Sequence, residues 1–332
     1  MELSKVAQYL HELLETSYIR GVFKCMVQGD FNVMMIVILS RGNCGLSKCI
    51  TRYLVAMAVA DLLVIIFDLI LRHIPAIYRS EFTFVRHIPL CNIHAVVLYA
   101  VTDCSVWFTV SFTFDRYIAI CWQKLKTKYC VEKTANVVLT IITVLFSLKN
   151  IFFYFMYTNK YSFVNHSWFC VVTDSVAQSK TWGTVEFLHY ILNPCIPFVL
   201  VLLFNALTIR YILVANRARR RLRSHVKVES LSDPEMENRR KSMIILYGVS
   251  GNFILLWALY MIWSIYWRMA YLGYETVYLP VFVRELAFMF QLTACCTNTC
   301  IYAVIQRKFR DEMKNLLQYP FVAIVKLIKK LD

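Results

Sequence analysis

A few ionisable side chains interrupt otherwise apolar stretches of this sequence. Asp61 lies in the middle of LVAMAVADLL, and Asp115 and Arg116 are adjacent in FDRYIAIC. An ionisable group inside a membrane is energetically costly and therefore generally serves a function. The guanidinium of an arginine can donate its fork of hydrogen bonds to a carboxylate or to the backbone carbonyls of a partner. These residues are therefore the first candidates for a functional role.

Patterns typical of catalysis are not found. The sequence contains no HExxH, no GxSxG and no glycine-rich phosphate loop. Its 12 cysteines include no CxxC pair and no spacing typical of a metal site. We therefore expect no enzymatic activity and no cofactor, and most cysteines are expected to pack as small apolar residues.

The composition indicates a helical membrane protein. Of 332 residues, 59% are hydrophobic and 17% are charged, whereas a soluble domain carries about 25% charged residues. The mean hydropathy is +0.54. Such a chain cannot bury its apolar residues in one water-soluble core, which excludes a soluble enzyme, a secreted all-β domain and a disordered protein. Only 8 Gly and 7 Pro are present to interrupt helices.

Seven apolar runs are long enough to position these residues across a bilayer. A membrane-spanning helix needs about 20 mostly apolar residues, and the first run is the weakest because Lys24, Gln28 and Asp30 interrupt it. No internal repeat stands out, which disfavours a transporter or a solenoid. We therefore predict an all-α membrane protein with a seven-transmembrane helix bundle in 21–305. The predicted helices are 21–40, 52–72, 88–120, 134–157, 183–213, 242–267 and 279–305.

The distribution of Lys and Arg predicts the orientation. With the N-terminus outside, the inner segments hold 25 of the 36 Lys and Arg residues, as the positive-inside rule requires. We therefore expect residues 1–20 outside the cell and the C-terminus in the cytoplasm, in a multi-pass protein of the plasma membrane. These inner segments, rather than nucleic-acid binding, explain the net charge of +15. They are 41–52, 116–133, 210–241 and 306–332.

The segment 306–332 is predicted to lie on the inner membrane surface. An amphipathic helix that ends near Pro320 is expected there, because four apolar residues share one face: Phe309, Met313, Leu316 and Leu317. The last apolar stretch adds three lysines suited to anionic lipid: Lys326, Lys329 and Lys330.

Several motifs occur in a fixed order along the chain. Cys91 lies 25 residues before Arg116, Cys170 lies between the fourth and fifth predicted helices, FILLWALY lies in the sixth, and NTCIY ends the seventh. Together with FDRYIAIC, they resemble class A (rhodopsin-like) G-protein-coupled receptors over nearly the whole chain. ILSRGNCGLSKCITRYLVAMAVADLL, RHIPLCNIH and SLKNIFFYF look like the orphan group of probable G-protein coupled receptor 139. That resemblance implies aromatic amino-acid or peptide ligands and Gq-type coupling.

The resemblance implies which residues transmit the signal. Asp115, Arg116, Tyr117 and Tyr302 would contact or control a heterotrimeric G protein, although the Asp115–Arg116 pair could instead only anchor its helix at the interface. Phe253 and Trp257 would act as a rotamer switch beneath the ligand. The alternative for these two aromatic residues is plain packing.

The resemblance also implies three structural sites. Asp61, Ser105 and Asn298 would form an allosteric sodium site, since Na⁺ prefers oxygen ligands; a hydrated polar network without an ion is the alternative. Cys91 and Cys170 would form a disulfide on the oxidising side, rather than remain two thiols. Asn165 begins the sequon Asn-His-Ser, which is either occupied by a glycan or not.

The ligand pocket is expected between the outer halves of the helices. Leu98 stands where aminergic receptors have an aspartate, which disfavours a monoamine. Acids and bases together suit a zwitterion or a short peptide, and the aromatic residues supply an apolar wall. Arg284 and Glu285 could alternatively lie at the rim in water. The candidate residues are Tyr99, Asp103, Glu186, His189, Tyr260, Trp263, Arg284 and Glu285, with Asp68 and Arg72 at the same depth.

Four residues depart from the pattern of the class. Leu259 and Thr299 replace prolines of the sixth and seventh helices, Asn205 replaces a tyrosine, and Arg239 stands where some members have an acidic partner for Arg116. These departures leave open one alternative to a signalling receptor, a seven-helix scavenger or modifier receptor that does not couple. A transporter is a further alternative, which the absence of inverted repeats disfavours.

Overall fold

The computed structural model describes residues 32–42, 44–78, 80–164, 167–177, 179–223, 234–271, 273–274, 279 and 281–316. The expected outer segment 1–20, the start of the first predicted span, Asn165 and the tail lysines lie outside these ranges. Within them, five helical stretches are long and apolar enough to cross a membrane. They are Lys48–His73, Cys91–Cys121, Glu132–Met156, Lys180–Ala218 and Met243–Ala270.

Seven helices form the bundle. In chain order they are α1 (32–40), α2 (Lys48–Val64, continued by Ile65–His73 and Ile74–Ile77), α3 (Cys91–Cys121), α4 (Glu132–Lys149), α5 (Lys180–Tyr190, Ile191–Cys195 and Ile196–Arg223), α6 (Pro234–Tyr271) and α7 (Val281–Ile305). A short helix, α8 (307–316), follows α7. Further short helices are Thr83–His87, Gln123–Tyr129, Phe152–Met156 and Asp174–Ala177.

Several helices extend beyond the ranges predicted from hydropathy. The predictions end the fifth span at 213 and begin the sixth at 242, whereas α5 continues to Arg223 and α6 begins at Pro234. Hydropathy reports only the part of a helix that lies in lipid, while backbone hydrogen bonds continue the helix into water. Proline is well tolerated at a first helical position because its missing N–H would have no partner there.

Two stretches of π-helix widen the helices at one end of the bundle. Ile65–His73 in α2 and Ile191–Cys195 in α5 have this wider winding. Such turns are rare and frequently occur at functional sites. Asp68 and Arg72, which form an ion pair, both lie in the first of these stretches.

A two-stranded hairpin covers the same end. β1 (Tyr157–Val164) pairs antiparallel with β2 (Ser167–Val172), and Tyr161 is opposite Cys170. The expected disulfide between Cys91 and Cys170 is present. The hairpin is thereby joined covalently to the first residue of α3. It is an addition to the predicted all-α architecture.

The core lies along the centre of the bundle. At the end away from the hairpin, Tyr53 of α2 and Phe112 of α3 are buried, and Phe309 docks α8 onto the same cluster. Outward-facing apolar residues of α4, such as Leu145 and Leu148, stay exposed. In a membrane these residues contact lipid, which is as apolar as the core.

Candidate functional site

A cavity of about 440 Å³ opens beneath the hairpin. Its volume lies within the range of small-molecule sites, about 300–1,000 Å³. Five helices (α2, α3, α5, α6 and α7) and the hairpin line it. Eight of the ten candidate pocket residues line this cavity, and two do not. The lining candidates are Asp68, Arg72, Tyr99, Glu186, Tyr260, Trp263, Arg284 and Glu285.

Three acid–base pairs line this cavity. Arg72 Nη1 lies 2.9 Å from Asp68 Oδ1, and Arg268 Nη2 lies 2.6 Å from Glu186 Oε1. The third pair is Arg284 with Glu285, 2.7 Å apart. Charges removed from water need such partners because desolvation is costly. The cavity therefore presents both signs of charge. In each pair, a ligand group can replace one of the two side chains if it carries the same charge as the side chain that it displaces.

Aromatic rings form the walls between the pairs. Trp263 and Tyr260 of α6 lie 5.2 Å and 5.6 Å, centroid to centroid, from Phe288 of α7. The guanidinium of Arg72 lies 5.2 Å from the centre of Phe288 and 5.1 Å from that of Phe169 in β2. These cation–π contacts hold the Arg72 side chain between two elements.

The hairpin has a second attachment to α3 besides the disulfide. His94 Nε2 lies 2.7 Å from the carbonyl oxygen of Phe67, and Nδ1 lies 3.0 Å from the Tyr161 hydroxyl. With the Nε2–H donating to the carbonyl, a neutral ring accepts the Tyr161 proton at Nδ1. Burial raises the pKa of Tyr161 to about 12, so this hydroxyl keeps its proton at neutral pH.

Two of the residues expected in the pocket, Asp103 and His189, do not line this cavity. Asp103 turns toward α4 and α5, where it accepts hydrogen bonds from Lys149 Nζ (2.6 Å), Asn150 Nδ2 (2.7 Å) and Asn193 Nδ2. It is one residue beyond Thr102, which does line the cavity, and one residue rotates the helix by about 100°. Depth in the membrane carries no information about that rotation.

His189 is buried below the cavity wall instead of in it. Its ring packs edge-on against Tyr99 and Phe153, at 5.6 Å and 5.1 Å between centroids. It supports Tyr99, which stacks on Phe153 at 3.8 Å.

Two important residues of the cavity were missed by the sequence prediction. Arg268 pairs with Glu186, and its guanidinium also lies 4.6 Å from the centre of the Tyr190 ring. The predicted sixth helix ends at 267, so Arg268 fell outside it. Phe288 contacts the rings of Tyr260 and Trp263. It lies one helical turn after Arg284, and this spacing could have indicated that both residues face the cavity.

A stack of aromatic rings continues below the cavity. Tyr260 lies 5.6 Å from Trp257, and Trp257 lies 5.5 Å from Phe253, between ring centroids. Trp257 and Phe253 are buried in the cluster that joins α3, α5, α6 and α7. The cavity is thereby connected to the middle of the bundle.

A polar network surrounds Asp61 beneath this stack. Ser105 Oγ donates to Asp61 Oδ1 at 2.5 Å, and Asn298 Nδ2 donates to Asp61 Oδ2 at 2.9 Å. A cavity of about 10 Å³ lies beside them, which is the volume that one water-sized particle needs. The carboxylate, hydroxyl and amide oxygens are ligands that suit Na⁺, whereas Cys295, which lines the same cavity, offers sulfur.

The Asp115–Arg116 pair lies at the opposite end of α3 from the disulfide. Both side chains are buried and form an ion pair with each other. Asp115 Oδ1 also accepts from Cys49 Sγ at 3.3 Å. Tyr117 stacks on Phe204 of α5, with centroids 5.9 Å apart. Tyr302 belongs to α7, but its side chain lies outside the described part of the structure.

Comparisons with known proteins identify the family. The sequence model of the 7 transmembrane receptor (rhodopsin family) matches residues 31–302. The platelet-activating factor receptor of Rattus norvegicus is 22% identical over 266 residues, covering 79% of this chain and 73% of that protein. The FMRFamide receptor of Drosophila melanogaster is 27% identical over 214 residues, covering 60% of this chain and 38% of that protein. The chain therefore belongs to the rhodopsin family of seven-transmembrane receptors, a family of receptors and not of enzymes.

Proposed function

We propose that this receptor binds an extracellular ligand in the cavity beneath the hairpin and activates a heterotrimeric G protein at its cytoplasmic face. Residues 1–20 would lie outside the cell, 21–305 would form the receptor domain in the plasma membrane, and 306–332 would lie in the cytoplasm. The observation that carries this proposal is the cavity with its three acid–base pairs, connected through Trp257 to the centre of the bundle.

The proposed ligand is an aromatic amino acid, a derivative of one, or a short peptide with an aromatic residue. The amine of such a ligand would pair with Glu186 or Asp68, and its carboxylate with Arg268, Arg72 or Arg284. The ring would pack among the aromatic residues of α6 and α7. The resemblance to the group of probable G-protein coupled receptor 139 supports the same ligand class and a Gq-type partner.

Two further parts of the proposal concern ions and lipids. A sodium ion at Asp61, Ser105 and Asn298 would supply positive charge that holds α2, α3 and α7 together. The basic tail would bind the anionic inner leaflet. Asn165 would carry a glycan outside the cell.

A second candidate function is a receptor that binds ligand but does not couple. It is favoured by the helical continuity of α6 through Leu259 and of α7 through Thr299. These residues stand where the class has prolines, and proline kinks provide hinges in long helices.

The deciding experiment is a second-messenger screen in transfected cells. Inositol phosphate, calcium and cAMP are measured after addition of aromatic amino acids or short aromatic peptides. FMRFamide and platelet-activating factor are also added, because the two similar receptors are named for these compounds. We expect an inositol phosphate response to an aromatic amino acid or peptide. Surface-expressed receptor that binds such a compound without any response would favour the non-coupling alternative.

The role of Arg116 is tested in the same cells. Replacing the residue by alanine, Arg116→Ala, should abolish G-protein activation, because the guanidinium that would bind the partner is gone. Surface expression, measured by an antibody to an N-terminal tag, serves as the control. Wild-type signalling by the variant would contradict the proposed coupling role.

A further inference from the structure

Asn252 joins α6 directly to α7 in the middle of the bundle. Its Nδ2 donates to Asn298 Oδ1 at 3.2 Å and to the Ala294 carbonyl at 3.3 Å. Its Oδ1 lies 2.7 Å from Thr297 Oγ1, the shortest of the acceptor distances of that hydroxyl, which also lies 2.9 Å from the Thr293 carbonyl oxygen. All three partners belong to α7, so both ends of this amide are used in contacts between the two helices.

This bridge is continuous with the network around Asp61. Asn298 accepts from Asn252 and donates to Asp61, which in turn accepts from Ser105 of α3. One set of hydrogen bonds therefore connects α3, α2, α7 and α6. A movement of α6 away from α7 must break the last link of this set.

α6 and α7 also pack closely near the bridge, and each of these helices is uninterrupted there. A Cβ atom on Gly248 of α6 would lie only 2.8 Å from Ile301 Cγ2 of α7. Both helices continue through the positions of the missing prolines, Leu259 and Thr299. α6 has no interior proline to act as a hinge, so we expect it to move as one long helix, and its contacts with α7 oppose that movement.

The cytoplasmic end of α6 does not provide the usual restraint. Arg239 stands where some members of the class have an acid that pairs with the arginine of α3. Two arginines repel each other, and Arg116 pairs with Asp115 of its own helix. An ion pair between these two positions therefore cannot hold α6.

We propose that Asn252 is a positioning residue that holds α6 against α7 in the resting receptor, through Thr297 and Asn298. The bridge takes the place of an ion pair between α3 and α6. This inference rests on the proposed function, because it assigns the bridge a role in limiting activation of a G protein. Loss of the bridge increases the population in which α6 has moved outward.

The variants follow from the hydrogen bonds. Asn252→Leu removes the whole bridge, and Thr297→Val removes its 2.7 Å bond with almost no change in volume. Thr293→Val is the matched control: Thr293 lies one turn earlier in α7, and its hydroxyl donates to the Met289 carbonyl of the same helix at 2.7 Å. A double variant, Asn252→Leu with Thr297→Val, tests whether both act on one bond.

The first measurement is the distance between spin labels at Arg240 and Lys126 in the full-length receptor in nanodiscs. The described residues include nine cysteines outside the disulfide, so the labels are attached to genetically incorporated keto amino acids. One hydrogen bond between membrane helices changes a conformational equilibrium on average about threefold. Thr297→Val, which removes one of the three bonds, should increase the long-distance population by about that factor. Asn252→Leu, which removes all three, should increase it further. Thr293→Val should leave it unchanged. The double variant should equal Asn252→Leu alone.

The second measurement is basal inositol phosphate per surface receptor, which separates this inference from the proposed function. Basal signalling should rise about threefold in Thr297→Val and further in Asn252→Leu. If the distances shift but no variant signals, the role of Asn252 in holding α6 is supported and the proposal of G-protein coupling is contradicted. If Thr297→Val folds, reaches the surface and has the wild-type distance distribution, the inference is overturned. A shift of equal size in Thr293→Val would also overturn it.

Discussion

At the scale of single residues, the cavity is organised by charges that are already paired. Glu186 is held by Arg268, and Asp68 by Arg72. A ligand must therefore compete with an internal partner for each charged side chain. This requirement favours zwitterionic ligands, which can offer a replacement partner to an acid and to a base at once. A ligand with a single charge would leave the displaced side chain unpaired.

Glu186 gives the sharpest prediction for the ligand site. Glu186→Gln keeps the size of the side chain but removes its charge, so the potency of an agonist with a free amine should fall about tenfold or more. Potency is measured as the concentration for half-maximal inositol phosphate release, normalised to surface receptor. Glu81→Gln is the control, because Glu81 is an exposed acid outside the cavity. Equal potency of Glu186→Gln and wild type would show that the amine binds elsewhere.

At the scale of elements, the hairpin is positioned by two independent attachments to α3. One is the Cys91–Cys170 disulfide, and the other is the contact of His94 with Tyr161. Because β1 and β2 form a wall of the cavity, any loosening of the hairpin changes the shape of the ligand site.

Breaking the disulfide should reduce delivery to the cell surface. A disulfide across a long loop stabilises a fold by about 2–4 kcal/mol, and Cys91→Ser removes that contribution. Cys170→Ser and the double variant should give the same loss, since all three break one bond. Surface labelling provides the measurement, and Cys300→Ser, which changes a free cysteine of α7, provides the control. Normal delivery of Cys91→Ser would contradict this role.

The tail beyond α8 should bind anionic membranes through Lys326, Lys329 and Lys330. Each lysine near an anionic surface contributes about 1 kcal/mol, so replacing all three by Gln should weaken partitioning of a 306–332 peptide about 100-fold. The measurement is centrifugation with vesicles that contain phosphatidylserine. Vesicles of neutral lipid are the control, on which both peptides should bind equally weakly. Unchanged partitioning on anionic vesicles would refute the proposal.

At the scale of the whole molecule, two polar regions are connected by packed aromatic rings. The ligand cavity lies at the hairpin end and the Asp61 network in the middle, with Tyr260 and Trp257 between them. Binding in the cavity can favour one arrangement of the helices only if that arrangement offers better contacts. Ions bound at Asp61 would be coupled to the ligand in the same way.

A sodium ion at Asp61 would hold α2, α3 and α7 in the resting arrangement, so it should oppose agonist binding. Replacing Na⁺ by N-methylglucamine at constant ionic strength should raise agonist potency about fivefold, at the lower end of usual allosteric coupling. Asp61→Asn should remove this dependence, since the compensating charge for the ion is lost. Agonist displacement in membranes provides the measurement, with choline as a second replacement cation. An identical sodium response in wild type and Asp61→Asn would support a hydrated network without an ion.

The helical membrane architecture and the order of its motifs could be predicted from the sequence. Long apolar runs report which segments prefer lipid, and the spacing of Cys91, Arg116 and Cys170 allowed the disulfide to be predicted from a family resemblance. Ionisable residues inside those runs were recognisable as candidates because burying them in lipid is costly. The ends of the helices were less predictable, since polar residues continue a helix into water, as in α5 up to Arg223.

Only the tertiary structure decided which way each side chain faces. In a soluble helix, the apolar stripe marks the buried face, but here lipid and core are both apolar, so hydropathy does not distinguish them. Asp103 and Thr102 are neighbours in sequence, yet one contacts α4 and α5 and the other lines the cavity. The Arg268–Glu186 pair and the Asn252 bridge to α7 likewise depend on the rotation of helices about their axes. That rotation is set by packing between helices distant in sequence, which is why the sequence by itself determined the spans and their chemistry but not the partners of each residue.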